Sequence, residues 1–153
     1  MAFHRITTEQ KLPISMQDAW AFFSSPKNLN VITPKEMSFE ITNDPAPKMF
    51  EGQIITYKVS PFWRIKMPWM TEIRTVKENS YFIDEQRFGP YSLWHHRHSF
   101  EEIEGGVLMT DEVNYKLPFG VLGDVAHALF IKKKLAHVFE YRKKALIELF
   151  GAH

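Results

Sequence analysis

The sequence predicts an α+β fold in which a curved, seven-stranded antiparallel sheet wraps around one long C-terminal helix. The hydrophobic pattern has a helical period near the N-terminus and a period of two from residue 37 to about residue 117. Residues 121–150 contain no Pro and are followed by Gly151, which predicts a helix roughly 45 Å long. Seven strands about 4.8 Å apart make a sheet roughly 30 Å wide, whereas a helix is only about 10 Å across. The sheet must therefore curl around the helix, and any space that side chains fail to fill becomes a cavity.

The composition is that of a globular protein with a single domain over residues 1–153. Of the 153 residues, 44% are hydrophobic and 24% are charged, and a chain of this length buries enough surface to fold without a disulfide or metal. Thirteen Phe, five Tyr and four Trp indicate a core with large gaps to line. The net charge of +1 provides no field that would attract nucleic acid, so we expect no nucleic-acid partner.

The first residues, MAFHRITTEQKLPIS, lack the apolar segment of a signal peptide. No apolar run in the sequence is long enough to span a bilayer. The absence of Cys suits a reducing compartment. We therefore expect a cytoplasmic protein without stable membrane insertion.

The N-terminal part of the sequence predicts one strand and two short helices. Residues 3–13 alternate between apolar and polar and predict the first strand. Ser15 is a good N-cap residue, Asp18 favours the same helix start, and Pro26 ends that helix. Residues 28–34 predict a second short helix.

Six further strands are predicted, beginning with the alternating residues Met37, Phe39 and Ile41. Turn sequences separate the later strands at Asn79-Ser80, Gly89-Pro90-Tyr91 and Gly105-Gly106. The later strands are residues 53–59, 69–76, 81–88, 92–102 and 107–117, with a predicted loop at residues 61–68. The predicted apolar stripe of the final helix consists of Leu122, Val125, Leu129, Leu135, Val138, Phe139, Leu146 and Leu149.

Five segments of the chain carry a family resemblance. They are AWAFFSSPKNLNVITP (19–34), FEGQIITYKV (50–59), DEQRFGPYSLWHHRHSF (84–100), DEVNYKLPFG (111–120) and VFEYRKKAL (138–146). Together with the order of elements, these segments resemble the START/polyketide cyclase (SRPBCC) superfamily, in particular a bacterial branch described as ligand-binding SRPBCC or cyclase/dehydrase-like. The resemblance implies the helix-grip fold and a cavity that binds lipids, quinones, polyketides or hormones, with catalysis in some members. It supplies no catalytic residues that can be transferred to this chain.

Turn lengths predict how the inward faces of the strands align, because directly opposed residues share a face. A two-residue turn at Gly105-Gly106 would place His96 opposite Tyr115, His98 opposite Val113 and Phe100 opposite Asp111. A three-residue turn at Gly89-Pro90-Tyr91 would place Asp84 opposite His96. The side chains of Asp84, His96 and Tyr115 would then form one row across three strands.

The turn at Asn79-Ser80, taken as two residues, would place Asp84 opposite Thr75 and Gln86 opposite Ile73. This register turns Trp69, Thr71 and Ile73 inward. The residues predicted to contact a ligand are Trp69, Ile73, Phe82, Asp84, Gln86, Trp94, His96, His98, Phe100, Met109, Asp111, Val113, Tyr115 and Arg142.

The sequence predicts non-covalent binding of a small, mainly hydrophobic ligand, for transport, storage or sensing. The apolar lining would supply affinity, and the polar row would supply orientation. A cyclase or dehydratase acting on a polyketide-like substrate is the alternative, with His96 as general acid/base, Asp84 orienting it and Tyr115 donating to a substrate oxygen. No Ser or Cys is placed as a nucleophile, so binding is favoured over catalysis. A protein-interaction module with a filled core is a second alternative.

His96 and His98 lie on one strand face with Asp111 nearby, and two His with a carboxylate could hold iron or zinc. Short His clusters in strands more often serve as plain hydrogen-bonding residues. We therefore predict no metal and no cofactor.

Three further features have two or more interpretations each. Lys132, Lys133, Lys134, Lys143 and Lys144 form either a solvated face or a docking surface for anionic lipid. Arg142 either reaches inward to the acidic end of a ligand or keeps its head in water. The large apolar residues Phe62, Trp63, Ile65, Met67 and Trp69 either cap the core, form a gate opposite Gly120 and Gly123, or contact a second copy of the chain.

Overall fold

The computed structural model describes residues 2–62 and 64–153, and within these residues seven strands form one antiparallel sheet. The strands are β1 (His4–Leu12), β2 (Glu40–Ile41), β3 (Ile54–Phe62), β4 (Ile65–Lys77), β5 (Tyr81–Phe88), β6 (Leu93–Ile103) and β7 (Gly106–Lys116). Their order is β1-β7-β6-β5-β4-β3-β2, so the first strand pairs with the last. Strands β5, β6 and β7 therefore lie side by side near the middle of the sheet. The predicted α+β architecture is confirmed.

The helices follow the first and the last strand. Helix α1 (Met16–Phe23) begins at Ser15, whose side chain accepts a hydrogen bond from the backbone N–H of Asp18 at 3.1 Å, as predicted. Two short 3₁₀ segments, Pro26–Asn30 and Lys35–Met37, follow it. At the C-terminus, α2 (Gly120–Ala126) continues through a π-helical turn (His127–Ile131) into α3 (Lys132–Phe150). No helix in the described part of the chain is both long and apolar enough to cross a bilayer.

Helix α3 packs against the sheet through Leu135, Arg142 and Leu146, its buried residues. Leu146 belongs to one apolar cluster, with Trp20 and rings from β5 and β6. Leu135 belongs to a second apolar cluster, with Tyr115 and rings from β4 and β6. Arg142 lies between Leu135 and Leu146 along the helix, so a polar layer separates the two apolar parts of the core.

The register of the β6–β7 hairpin differs from the prediction. Ile103 pairs with Gly106, so the turn consists of Glu104 and Gly105, and Gly105 adopts a φ of +80°. Gly106 is not a turn residue: a Cβ built there would lie 1.9 Å from the carbonyl oxygen of Leu12, so the close approach of β1 requires glycine. The shift of two residues places His96 opposite Val113, His98 opposite Asp111 and Phe100 opposite Met109. Because the shift is an even number, the inward faces are unchanged.

The β4–β5 turn also differs from the prediction. Lys77 pairs with Tyr81, which leaves a three-residue turn whose Asn79 adopts a left-handed φ of 59°. An irregularity between Ile73 and Thr75 then places Asp84 opposite Ile73, and not Thr75, and Gln86 opposite Thr71, and not Ile73. The predicted pairing of Asp84 with His96 is confirmed.

The predicted loop at residues 61–68 is wrong, because β3 extends to Phe62 and β4 begins at Ile65. Two prolines suggested a break, but Pro61 lies where the β3–β4 register shifts, between Val59 and Phe62, and Pro68 pairs with Lys58 within the ladder. Ile65 is 61% exposed, whereas Trp69 is buried. Trp63 lies outside the described residues.

The N-terminal half of the predicted apolar stripe is not buried. Leu122, Val125 and Leu129 are 76%, 51% and 57% exposed, and Leu149 is 47% exposed. Helix α2 approaches the rest of the protein through Gly123, where a Cβ would lie 2.1 Å from the carbonyl oxygen of Pro118. Since the glycine face is the one that packs, the larger apolar side chains of α2 point away from the core.

Candidate ligand cavity and buried polar cluster

A cavity of about 190 Å³ lies between the sheet, α3 and the segment that follows α1. Its walls are mainly apolar, and aromatic rings are prominent among them. These rings are Phe22, Phe23, Phe39, Tyr57, Trp69, Phe82, Tyr91, Trp94 and Phe139. Charged and imidazole groups from β5, β6 and α3 line the remaining part. The expected space between sheet and helix is therefore present.

The fourteen residues predicted to contact a ligand divide into two groups. Those that line the cavity are Trp69, Ile73, Phe82, Asp84, Trp94, His96, His98 and Arg142. Those that do not are Gln86, Phe100, Met109, Asp111, Val113 and Tyr115. Gln86 instead fixes the turn before β6, because its amide donates to the carbonyl of Tyr91 at 2.6 Å and accepts from the N–H of Tyr91 at 3.0 Å.

We call Asp84, His96, His98, Asp111 and Arg142 the polar cluster. His96 and His98 are two apart on β6, so they share a face, and their rings stack 3.7 Å apart. His96 Nε2 lies 2.8 Å from Asp111 Oδ1, and His98 Nε2 lies 2.6 Å from Asp84 Oδ2. Neighbouring strands thus supply one carboxylate on either side of the histidine pair.

Two further contacts connect the carboxylates of the polar cluster. His98 Nδ1 lies 3.1 Å from Asp111 Oδ1, although the angle is not that of a hydrogen bond. His96 Nδ1 lies 3.9 Å from Asp84 Oδ2. Each carboxylate therefore faces both imidazoles. The general acid/base arrangement predicted from the sequence, with Asp84 as the partner of His96, is replaced by a crossed pairing.

Arg142 brings a positive charge from α3 to the polar cluster. Its terminal nitrogen lies 3.4 Å from Asp111 Oδ1, and its guanidinium lies over the ring of Phe23, 5.5 Å from the ring centre. The side chain is buried, and its Nε finds no hydrogen-bond partner among the described residues. A buried guanidinium N–H without an acceptor is costly, so this position is suited to an acceptor supplied from outside.

The surroundings of the two carboxyl groups in the polar cluster lower the pKa values of both. Burial alone would raise the pKa of Asp111, but the Arg142 charge, the hydrogen bond from His96 and the close contact with His98 hold it well below its usual range. Burial would likewise raise the pKa of Asp84, but its hydrogen bond from His98 and its neighbouring charges lower it. Both carboxyl groups are therefore charged.

The two histidines differ in charge. Burial and the neighbouring His98 charge lower the pKa of His96. Burial acts in the same direction on His98, but the close contact with Asp111 and the hydrogen bond to Asp84 outweigh it and raise the pKa of His98. When His98 is protonated, its charge and that of Arg142 balance the two carboxylates of the polar cluster.

Tyr115 does not join this arrangement, so the predicted row across three strands is wrong. The shifted register pairs Tyr115 with Trp94. The hydroxyl of Tyr115 lies 2.7 Å from Nε2 of His127 in the π-helical turn, and the His127 ring stacks on His4 at 3.4 Å. Tyr115 thus ties the end of the sheet to the C-terminal helices.

Several residues of the cavity wall were not predicted from the sequence. Tyr57 lines the cavity, and its hydroxyl lies 3.1 Å from Thr71 Oγ1, which also accepts a hydrogen bond from Trp69 Nε1 at 3.1 Å. Burial raises the pKa of Tyr57, so its hydroxyl stays protonated. Its alternation with Ile55 and Val59 was the available signal. The contribution of residues between α1 and β2 to the cavity wall had no comparable sequence signal.

Neither a protein-family model nor a curated protein matches this chain. Solved structures do share its fold. TTHA0849 from Thermus thermophilus is 14% identical over 95% of both chains, with a TM-score of 0.70. CV1439 from Chromobacterium violaceum is 9% identical over 97% of this chain and 98% of its own, with a TM-score of 0.73.

A third structure, that of Ara h 8.0201, is 15% identical, covers 96% of this chain and 99% of its own, and has a TM-score of 0.61. Ara h 8.0201 is a Bet v 1-like protein. The chain therefore has the helix-grip fold of Bet v 1-like proteins.

Proposed function

We propose that the chain is a single cytoplasmic domain of the bacterial ligand-binding SRPBCC branch, and that it binds a small, mainly apolar ligand non-covalently for transport, storage or sensing. The observation that carries this proposal is a cavity with aromatic and aliphatic walls that ends at buried charged side chains. Binding sites for small molecules commonly combine such walls with a few polar groups that fix orientation.

The volume of the cavity limits the size of the ligand. At about 190 Å³ it is larger than the engineered cavity of about 150 Å³ that takes up benzene, and smaller than sites for drug-sized molecules, which begin at about 300 Å³. A ligand of one or two rings, or one short acyl chain, fits these limits. A filled core, as in the protein-interaction alternative, accords poorly with this space.

The polar end of the ligand is proposed to be an oxygen acceptor, such as a carboxylate. Asp84, His98 and Arg142 line the cavity, whereas Asp111 does not. Two groups that can carry a positive charge, His98 and Arg142, therefore face the ligand together with a single carboxylate, Asp84. The Nε of Arg142 is the donor that most needs an acceptor, and a guanidinium binds a carboxylate in a fixed geometry.

Native mass spectrometry of the purified protein tests this proposal. We expect a bound small molecule at about one per chain, which organic extraction then releases for identification. Arg142→Lys keeps the buried charge but loses the planar fork, so it should reduce ligand occupancy at least about tenfold. Lys143→Arg, on the next and exposed residue, is the matched control. A wild-type protein that never carries or takes up such a ligand contradicts the proposal.

A cyclase or dehydratase is the second candidate, and the crossed Asp–His pairs favour it. His98, held at 2.6 Å from Asp84 and lining the cavity, would be the proton donor or acceptor, in place of His96. Turnover that His98→Gln abolishes without loss of ligand affinity would support this candidate.

We also propose that the exposed apolar residues of α2 and of the segments on either side of it dock transiently on an anionic membrane. We define the α2 patch as Phe119, Val121, Leu122, Val125 and Leu129, each at least half exposed. Lys132 and Lys133, both exposed, and Lys134 follow directly on α3. Basic residues beside an apolar helix face complement anionic lipid. A symmetric homodimer through the same patch would bring two lysine triplets together, so the membrane is the favoured occupant.

A further inference from the structure

The hydrogen-bonding requirements of His98 cannot be met by a neutral imidazole. One ring nitrogen of His98 lies 2.6 Å from Asp84 Oδ2, and the other lies 3.1 Å from Asp111 Oδ1. A neutral imidazole carries a single N–H, so either tautomer leaves one unprotonated nitrogen within 3.1 Å of a carboxylate oxygen, where the two electron-rich atoms repel each other. The site therefore needs one more cation, and that cation is either a second proton on His98 or a metal ion.

His96 is oriented so that it can share such an ion. Its Nε2 lies 2.8 Å from Asp111 Oδ1, so the N–H points to Asp111 and the lone pair of Nδ1 points to the other side, towards Asp84. Asp84 Oδ2 lies 3.9 Å from that Nδ1. Two ligand atoms bound to one ion at about 2.1 Å can be at most about 4.2 Å apart, so a single ion can bridge this pair.

We propose that Asp84, His96 and His98 bind one divalent transition-metal ion, of the class of Fe²⁺ or Zn²⁺, at the polar end of the cavity. Each residue offers one ligand atom, and the three atoms lie within 4.8 Å of one another, so small side-chain rotations close the site. Two imidazoles and one carboxylate are a donor set that suits these ions.

Asp111 and Arg142 support the site from the side of the imidazoles that faces away from Asp84. Asp111 Oδ1 is the oxygen closest to the outward nitrogens of both imidazoles, 2.8 Å from His96 Nε2 and 3.1 Å from His98 Nδ1. A carboxylate in this position fixes the ring orientation and makes the metal-facing nitrogens better donors. Arg142, 3.4 Å from the same oxygen, neutralises Asp111 and so leaves Asp84 as the anion that meets the metal.

The three proposed ligand residues line the cavity, so the remaining coordination positions face the space where a guest molecule would lie. The bound ion would act as a Lewis acid towards an oxygen atom of that guest or towards water. The binding of the ion itself requires no organic ligand. The metal site and the proposed ligand-binding function can therefore succeed or fail independently.

Titration of the EDTA-treated protein with Co²⁺, which has visible d–d absorption bands when bound to protein, tests the site. We expect one Co²⁺ per chain, with bands that disappear on addition of competing Zn²⁺. His96→Gln and His98→Gln should abolish the bands, and Asp111→Asn should weaken binding by about 10- to 100-fold. His95→Gln, on the same strand but on the opposite face, is the matched control and should retain them.

A measurement on the wild-type protein alone covers the case in which these variants fail to fold. In NMR spectra, Zn²⁺ should shift the imidazole resonances of His96 and His98 and leave those of His127 and His137 unchanged. A wild-type protein that binds neither Co²⁺ nor Zn²⁺, or binding that survives in both folded histidine variants, overturns the proposal. A ligand retained after EDTA treatment would show that the cavity still functions without metal.

Discussion

Asp84 lies opposite His96 in the strand register, yet its shortest polar contact is with His98, at 2.6 Å between Asp84 Oδ2 and His98 Nε2. The diagonal contact is possible because His98 follows His96 by two positions on the same face of β6. It leaves His96 to Asp111, at 2.8 Å. The Asp84 carboxylate therefore acts mainly on the pKa of His98, and this determines how the stability of the protein should respond to pH.

Stability should decrease on the alkaline side as His98 loses its proton. The pKa of His98 is raised above the ordinary 6.5, so its contribution is complete below about pH 6.5 and is lost as the pH rises through the folded pKa. Each tenfold gain in proton affinity on folding corresponds to about 1.4 kcal/mol of stability. Urea unfolding of the metal-free wild type from about pH 6.5 to about pH 9 should show this decrease, and His98→Gln should flatten it.

Below about pH 6.5, stability should decrease as the pH falls, because His96 and His127 must then gain a proton. The pKa values of His96 and His127 are lowered, so their contribution is complete above about pH 6.5 and is lost as the pH falls through their folded values. The lowered pKa values of Asp84 and Asp111 matter only further down, below about pH 4. An unfolding free energy that rises steadily from about pH 6.5 to about pH 9 would contradict this assignment of the histidine charges.

Arg142→Met should destabilise the protein strongly, because it takes from the buried Asp111 carboxylate its permanently charged neighbour. Removing one member of a buried ion pair typically costs about 3–5 kcal/mol. Lys143→Met, at an exposed position next in sequence, should change the unfolding free energy by less than about 0.5 kcal/mol.

The double variant Arg142→Met with Asp111→Asn separates charge from packing. If the loss in Arg142→Met comes from the unpaired carboxylate, removing that charge should restore a large part of the stability. No recovery in denaturant unfolding would mean that Arg142 acts through packing against Phe23 and Met109 instead.

The architecture was predictable because the width of a seven-stranded sheet and the single long helix leave few arrangements. The inward faces of β5, β6 and β7 were also predictable, since alternation survives a register shift of two residues. The positions of His96 and His98 on one face follow from that alternation alone.

The partners of those histidines were not predictable, because they depend on register. The two glycines at the β6–β7 turn serve different purposes: Gly105 adopts the positive φ, and Gly106 allows β1 to approach. Contact between β1 and β7 is long-range, so no local pattern could distinguish the two roles. The sequence also did not predict which side of α2 is exposed, since the orientation of this helix depends on the contact of Gly123 with Pro118.

Filling the cavity should abolish ligand binding with little loss of stability. Val138 lines the cavity from α3 and is only half-buried, so Val138→Trp can place an indole in the space that a ligand would occupy. We expect ligand occupancy by native mass spectrometry to fall at least about tenfold while the unfolding free energy changes by no more than about 1 kcal/mol. Ala136→Trp, two residues away and exposed, should keep normal occupancy. Normal occupancy in Val138→Trp would place the ligand elsewhere.

The α2 patch should determine attachment to anionic vesicles. Leu122→Ser with Val125→Ser removes exposed apolar area and should reduce co-sedimentation with phosphatidylserine-containing vesicles several-fold. Ile147→Ser with Leu149→Ser, which changes two exposed apolar residues at the far end of α3, is the control. Each Lys→Gln change at residues 132–134 should cost about 1 kcal/mol, or roughly fivefold in vesicle affinity, and this loss should shrink as salt is added. Equal vesicle binding by the wild type and by the double variant Leu122→Ser with Val125→Ser would contradict a membrane role for the patch. If the wild type instead forms a concentration-dependent dimer that this double variant does not form, the patch binds a second copy of the chain.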